Sequence, residues 1–502
     1  DRLRSRGLGD VYKRQNWKMW QKCVGKMGKK LPIFLFIFIL LYVIGSLICY
    51  PMLTKRHVLK QKEKYAEQAA KETVDRSASV RCLDDNTQAL VYRLALIESA
   101  QRELIMTTFD MSDGESGQDL MAAMLQAADR GVRIRLMVDG INAWLKLEKS
   151  DLFGAFSTHP NIEIRFYNPI RLTKLWKLNY RMHDKYLIAD DTAYILGGRN
   201  SNNLFLGAYR DTYNIDRDLY VLERTEKNAS DVMQKKERNS LQDIKAYFEK
   251  IWVQPDQKIF RKKETEKTKE GLALLREHYK ELQTAYPEVF SETETLLTQD
   301  LIRVDSIQFL HNPLYADEKV PVVYQRICQE MEQGETILIQ TPYIICDKGM
   351  YQDLSELCRA GKQIEIITNA VESGANPWGC TDYLNERKSI LKTGAGVYAC
   401  MAGQSLHTKT VLIDDETSIV GSYNLDLRST YLDTELMLLV KSKELNKQLR
   451  DQAAAYQEKS AYEKAGKPSR TGSLYEKKEM SGMQKVIYSI LRILIRPIRE
   501  VL

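Results

Sequence analysis

The chain has little of what a metal centre or a disulfide framework requires. Its eight cysteines contain no CxxC pair, and none stands at a zinc-site spacing from a histidine. Free thiols in a reducing compartment are therefore expected, and no metal or cofactor is. None of the usual nucleotide-binding motifs is present, which argues against chemistry driven by a nucleoside triphosphate. No sign of charge dominates, since 74 Lys and Arg stand against 67 Asp and Glu, a net charge of +7. That excess suits an anionic membrane surface or a nucleic acid without choosing between them. Hydrophobic residues at 44% and charged residues at 28% exclude both a polytopic membrane protein and a wholly disordered chain.

Long apolar runs are also scarce, and the exception is informative. Residues 31–53 read LPIFLFIFILLYVIGSLICYPML, without charge and long enough to cross a hydrocarbon core as a helix. Cations on both flanks argue against a buried core helix, and the length argues against a cleavable signal, so a retained single-pass anchor is expected. Lys18, Lys22, Lys26, Lys29 and Lys30 precede it, while Lys55, Arg56, Lys60, Lys62 and Lys64 follow it. With cations so evenly balanced, the positive-inside rule does not set the orientation. Residues 1–15 begin without Met, read like translated adapter sequence, and are set aside from the fold. At the other end, residues 486–502 carry apolar side chains on one helical face and Lys485, Arg492, Arg496 and Arg499 opposite. This pattern predicts a basic amphipathic helix lying in an anionic membrane interface.

Between these ends the chain repeats one plan. Residues 94–100 read as helix and 103–109 as strand, then 120–128 as helix and 132–138 as strand after Gly131. A second copy runs through 323–331, 336–340, 354–359 and 363–368, with Gly361 in the place of Gly131. Alternating strands and helices predict an α/β sheet built from crossover units, and the long period predicts a duplicated domain. The expected organisation is a basic segment at 1–30, the membrane helix at 31–53 and a charged linker helix at 54–78. The halves follow at 79–222 and 301–460, separated by a charged helical insertion at 223–300. A polar linker and the amphipathic helix occupy 461–502.

Each half carries one recurring motif. His183 is followed by Lys185, Asp190, Gly197 and Asn200; His407 is followed at the same offsets by Lys409, Asp414, Gly421 and Asn424. One such match is a chance event of roughly one in 100,000 at a given histidine, and two are far rarer. Residues two apart on a strand face the same side, so each motif presents an imidazole and an ammonium together. A turn after each Asp leads to a second strand that returns the Asn towards the His. Two such halves facing each other would gather cations and amide donors where negative charge develops on a phosphoryl group. Two imidazoles could then divide nucleophilic and acid–base work. The other histidines, His57, His159, His278 and His311, have no such company and are read as structural.

The paired HxKxxxxD motifs resemble those of the phospholipase D superfamily, and the match extends over residues 79–459. Within it the chain is most similar to bacterial cardiolipin synthases, through RLALIESAQRELIMTTF (93–109), ADRGVRIRLMVDG (128–140) and NLDLRSTYLDTE (424–435). The resemblance implies an α/β fold with a duplicated domain, two mixed sheets flanked by helices and an active site at the pseudo-two-fold interface. It implies a membrane-bound phosphatidyltransferase that forms cardiolipin through a phosphatidyl-histidine, with His183 as nucleophile and His407 as acid. The alternatives it leaves open are a phospholipase D hydrolase releasing phosphatidic acid, a nuclease of the superfamily and a non-catalytic membrane scaffold. Lys185, Lys409, Asn200 and Asn424 would hold the phosphoryl group, while Asp190 and Asp414 brace turns. It also implies an acidic residue after each Asn that orients the imidazole of the opposite half. Glu435 fits one place. Asp218 is the expected counterpart, with Asp216 competing because the Trp usual before the family's Arg-Asp pair is missing. Phosphatidylglycerol is the expected substrate, phosphatidylethanolamine the alternative donor, and no nucleic acid is expected. The expected location is a bacterial cell membrane, with the catalytic body facing the cytoplasm.

Overall fold

The computed structural model describes residues 33–59, 78–223, 239–315 and 318–502. The adapter-like residues 1–15, the rest of the basic N-terminal segment and most of the expected linker helix lie outside the described residues. Two nine-stranded sheets dominate. The first runs Ile302–Arg303, Ser79–Leu83, Asp218–Leu222, Ala193–Gly197, Tyr186–Ala189, Glu103–Thr108, Arg133–Asp139, Ile162–Tyr167 and Lys258–Phe260 from edge to edge. The second runs Ser306–His311, Leu436–Lys441, Thr417–Gly421, Thr410–Ile413, Thr336–Gln340, Gln363–Asn369, Gly396–Cys400, Ser460–Glu463 and Arg470–Thr471. Each is mixed. The parallel strands come from crossover units, as in Glu103–Thr108, helix Glu115–Asp129 and Arg133–Asp139. Thr336–Gln340, helix Lys348–Arg359 and Gln363–Asn369 repeat that unit in the second half. Gly131 and Gly361 end the two crossover helices at φ +98° and +95°, a left-handed conformation that favours glycine.

The sheets face each other. One buried cluster joins Val80, Ile105, Ile188 and Leu196 of the first to Ile307, Leu338, Leu412 and Val420 of the second. The outer face of each sheet buries a separate cluster beneath its own helices. Strands apolar on both faces explain why the sequence around each motif reads as a continuous hydrophobic run rather than an alternation. Arg217 ties the halves together from a fully buried position. Its guanidinium donates to Asp84 at 2.7 and 3.0 Å, to Gln340 at 2.9 Å and to Thr410 and Gln452 at 3.0 Å. Truncating a fully paired buried ion strands its partners, a cost of about 3–5 kcal/mol.

Three boundaries differ from the sequence expectation. The described part of the expected insertion, residues 239–300, is tied into the first half: Lys258–Phe260 pairs with Ile162–Tyr167 as an edge strand of the first sheet. Leu275, Tyr279 and Leu282 of its helix Glu266–Ala285 are buried in the first half's core, so a charged outer face concealed a narrow apolar stripe. Residues 302–303 belong to the first sheet rather than the second half, pairing with Ser79 and Val80. Finally, the second sheet continues past residue 460 through Ser460–Glu463 and Arg470–Thr471. The seven cysteines among the described residues are all free.

The N-terminal helix Ile33–Leu59 is long and apolar enough to cross a membrane. A π-helical turn interrupts it at Gly45–Cys49.

Candidate active site

Each motif is built in the same way. The hairpin of Tyr186–Ala189 and Ala193–Gly197 turns at Asp190, and that of Thr410–Ile413 and Thr417–Gly421 turns at Asp414. The two aspartates adopt φ +51° and +48°, a region that aspartate tolerates better than most residues. The Asp190 carboxylate accepts from the backbone N–H groups of Gln101, Arg102 and Glu103, each at 2.8 Å. Asp414 accepts from those of Glu335 and Thr336 at 2.9 and 2.8 Å. Both therefore pin a hairpin turn to the start of a neighbouring strand, away from the histidines. Gly197 and Gly421 close the hairpins where a side chain cannot fit. A Cβ would lie 2.1 Å from Asp218 Oδ1 at the first and 2.2 Å from the Leu436 carbonyl oxygen at the second.

The halves then exchange segments. Residues Ser405–Leu406, just before His407, pair in parallel with Asn214–Ile215 of the first half, and His407 N–H donates to the Ile215 carbonyl at 2.7 Å. Met182, just before His183, bridges to Thr434 of the second half, and His183 N–H donates to Thr434 Oγ1 at 3.1 Å. This reciprocal pairing sets each imidazole against a carboxylate of the opposite half. His183 Nδ1 is 2.9 Å from Glu435 Oε1, and His407 Nδ1 is 2.6 Å from Asp216 Oδ2. Both carboxylates are fully buried.

Asp216, not Asp218, is thus the counterpart of Glu435. Asp218 points away from the histidines, receiving Arg93 at 2.9 Å and Arg199 at 3.3 Å. Strand register explains the correction. Gly197 pairs with Asp218 and Gly421 with Met437, so the residue two places earlier is Asp216 in one half and Glu435 in the other. Glycine follows Gly197 because a Cβ on Gly198 would lie 2.3 Å from Asp216 Oδ1. Ser422 takes the equivalent place in the second half and donates to Glu435 Oε2, while Ser429 donates to Oε1 at 2.5 Å.

Lys185 and Lys409 reach into the same space, each donating back to the carbonyl of its own histidine. Lys409 Nζ also lies 3.5 Å from Asp216 Oδ2. The side-chain oxygens of Asn200 and Asn424 are buried with no hydrogen-bond partner among the described residues. Two aromatic edges complete the walls, Phe109 with its centroid 5.0 Å from the His183 ring and Phe205 4.9 Å from His407. Phe109, Phe205, Thr434, Ser422 and Ser429 escaped sequence reasoning because none repeats between the halves.

Burial dominates the electrostatics. It lowers both imidazoles, with help from the neighbouring ammonium groups: His183 falls well below its ordinary range and His407 to about 4. Burial likewise lowers Lys185 to about 7, against the pull of Glu435, and it lowers Lys409. Glu435 is pushed up to about 8 by burial, with Lys185, Ser422 and Ser429 opposing. For Asp216 burial acts the same way, but Lys409 and His407 together outweigh it and hold the carboxyl below its usual range. Depressed imidazoles and lysines suit an anion, whose charge would return protons to them. Two imidazoles, two amines and two amides around one point can hold a phosphoryl group and take and give protons on either side of it.

A duplicated α/β body with one HxKxxxxD motif in each half, each histidine braced by the other half's carboxylate, defines a phospholipase D-type enzyme. The family described as "Cardiolipin synthase, PLD-like domain" matches residues 94–252 and 327–456, and the chain belongs to it. It is a phospholipase D-type phosphatidyltransferase. Cardiolipin synthase C of Escherichia coli (strain K12) is 25% identical over 408 residues, covering 72% of this chain and 81% of that protein. The major cardiolipin synthase ClsA of Bacillus subtilis (strain 168) is 25% identical over 359 residues, covering 71% and 64%. Among solved structures, the phosphatidylserine synthase of Haemophilus influenzae Rd KW20 shares the fold. Its TM-score is 0.60 at 17% identity, over 88% of this chain and all of that one.

Proposed function

We propose that the protein forms cardiolipin by phosphodiester exchange between two molecules of phosphatidylglycerol, at a bacterial cell membrane with its body on the cytoplasmic side. The observation that carries this reading is the reciprocal pair of histidine–carboxylate contacts, His183 with Glu435 and His407 with Asp216. Each places a carboxylate on Nδ1, which leaves Nε2 as the reacting nitrogen.

In the first half-reaction, His183 Nε2 attacks phosphorus while protonated His407 gives its proton to the departing glycerol oxygen. The products are a phosphatidyl-histidine and free glycerol. His407, now neutral, takes the proton from a headgroup hydroxyl of the second lipid as that oxygen attacks phosphorus. His183 leaves, and cardiolipin is released with His407 protonated again. One phosphodiester replaces another, so no nucleotide is consumed. Lys185, Lys409, Asn200 and Asn424 stabilise the charge that builds on the phosphoryl oxygens.

Detergent-solubilised protein incubated with labelled phosphatidylglycerol tests the proposal by chromatography of the products. Cardiolipin with free glycerol is the expected result. Phosphatidic acid alone would make water the acceptor and the protein a hydrolase using the same histidines. No turnover on this donor would overturn the substrate assignment and direct the next assay to phosphatidylethanolamine.

A further inference from the structure

The N-terminal helix is too closely held by the body to act as a tether above the membrane. Over residues 33–41 its side chains are 44–69% exposed, as an unpacked helix would be. From Tyr42 onwards the body grips it. Tyr42 Oη donates to the Leu172 carbonyl at 2.9 Å, and Asn179 Nδ2 donates to the Leu47 carbonyl at 3.0 Å. The Tyr50 ring lies 6.1 Å from Trp176 and 6.4 Å from Tyr180. Lys55 pairs with Asp347 at 2.7 Å and with Glu500 at 2.8 Å. At a rise of about 1.5 Å per residue, residues 33–41 reach about 13 Å, whereas a hydrocarbon core is about 30 Å thick. Yet the uncharged run continues to residue 53, inside the grip.

We propose that the body itself is seated in one leaflet of an anionic bilayer, with the collar around residues 42–53 entering the headgroup and outer acyl region. Two features of that collar fit lipid. The 3-10 segment Leu172–Asn179 turns Leu172 outward at 77% exposure beside Tyr42. The C-terminal helix Gly482–Leu494 splits its wide apolar surface in two. Tyr488, Leu491 and Ile495 pack inward on the body, while Met483, Val486, Ile487, Ile490, Ile493 and Leu494 stay exposed along one outer stripe. Lys485 and Arg492 are exposed on the same helix and Arg496 just after it, and they match anionic headgroups. The inward side of this helix packs into the same buried cluster as the end of the N-terminal helix: Leu59, Tyr180, Tyr431, Leu491 and Val501 share it.

The seating bears on the reaction site. Arg428 donates to the carbonyls of Val501 at 3.0 Å and Asn179 at 2.8 Å, and pairs with Asp433 at 2.9 Å. Asp433 stands two residues before Glu435. The collar and the His183–Glu435 pair therefore belong to one packed unit, which sets the reacting histidine at headgroup depth. This goes beyond the proposed reaction and holds whichever phosphodiester is exchanged.

The test reads depth rather than turnover. Full-length protein carrying one fluorescent side chain, at Phe36, Leu172, Ile490 or Leu274, is reconstituted into vesicles of phosphatidylglycerol and phosphatidylcholine. Quenching is compared between doxyl-labelled lipids and aqueous iodide. Leu274, 64% exposed on helix Glu266–Ala285, serves as the water-facing reference. Probes at 172 and 490 should follow the Phe36 probe, at least half as strongly quenched by doxyl lipid and shielded from iodide. Probes at 172 and 490 that behave like the one at 274 would overturn the proposal. So would shielding of the 490 probe from both quenchers in a particle of doubled mass, since a second copy would then cover the stripe.

Discussion

Replacing Asp216 by Asn removes one charge and almost no volume from the site, and the effect on rate can be worked from the contacts. Asp216 Oδ2 accepts from His407 Nδ1 at 2.6 Å in a fully buried position. An amide there can donate its N–H to Nδ1, which moves the ring proton to Nε2, the nitrogen that must exchange protons with substrate. In a buried His–Asp pair that tautomer error costs about 10⁴-fold in kcat, or about 5 kcal/mol of transition-state stabilisation. Lys409 loses its carboxylate at 3.5 Å as well, but its lowered pKa lets it shed the proton instead of remaining a stranded charge. The fold should therefore survive. Asp218→Asn gives the opposite pattern. It leaves Arg93 and Arg199 short of a buried partner, a stability cost of about 3–5 kcal/mol, with kcat per folded molecule within about tenfold of the parent. Lipid chromatography normalised to folded protein, with melting curves on the same samples, separates the two. A folded Asp216→Asn protein turning over within tenfold of the parent, beside an inactive but stable Asp218→Asn protein, would refute the register argument.

Three further outcomes follow from the same geometry. Burial raises the Glu435 carboxyl from its ordinary value to about 8, so the folded state binds this proton more tightly than the unfolded state. Stability from this group is fully present below the unfolded pKa and is lost as pH rises towards 8. The melting temperature should thus fall more between pH 5 and 8 in the parent than in Glu435→Gln, and equal falls would remove the argument. His407, lowered to about 4 by burial, should take up a proton when an oxyanion binds near pH 6.5. Calorimetry with vanadate in buffers of different ionisation enthalpy should show net proton uptake, and its absence would show that His407 does not face the anion. Asp190→Ala strips the acceptor from three backbone N–H groups and should cost about 1–3 kcal/mol in stability, with kcat unchanged in the folded fraction.

The sequence made the paired motifs legible because His, Lys, Asp, Gly and Asn recur at fixed offsets within a hairpin, where spacing and geometry are locked together. It left Asp216 undecided because the carboxylates lie beyond a loop of unequal length. Asn200 to Asp216 spans more residues than Asn424 to Glu435, so counting from the motif cannot align them. Only the ladder does, through Gly197 with Asp218 and Gly421 with Met437. The charged segment 223–300 misled for a related reason. Lys258–Phe260 is too short to carry a strand signal, and helix Glu266–Ala285 shows its charge to solvent while a few apolar residues reach the core. The N-terminal apolar helix was visible as a run of apolar letters, but the grip on residues 42–59 depends on contacts from Leu172–Asn179 and the C-terminus, far away in sequence.

Duplication by itself would yield two equivalent histidines, and the reaction needs two different ones. The exchanged carboxylates supply the difference. Lys409 and His407 hold Asp216 ionised, which favours a positive charge on His407 once substrate is bound, as the proposed general acid requires. Glu435 is pushed the other way by burial, so it gives an imidazolium at His183 less support than Asp216 gives one at His407. Each histidine has a lysine beside it that disfavours protonation, Lys185 at His183 and Lys409 at His407, so the difference rests on the carboxylates. A neutral ring is what attack on phosphorus needs. This asymmetry supports the roles proposed above, His183 as nucleophile and His407 as acid and base. It makes a direct demand: a His407→Ala protein should still form an acid-labile phospho-adduct from a donor with a good leaving group, and a His183→Ala protein should not. The reverse pattern would exchange the two roles and leave the fold argument intact.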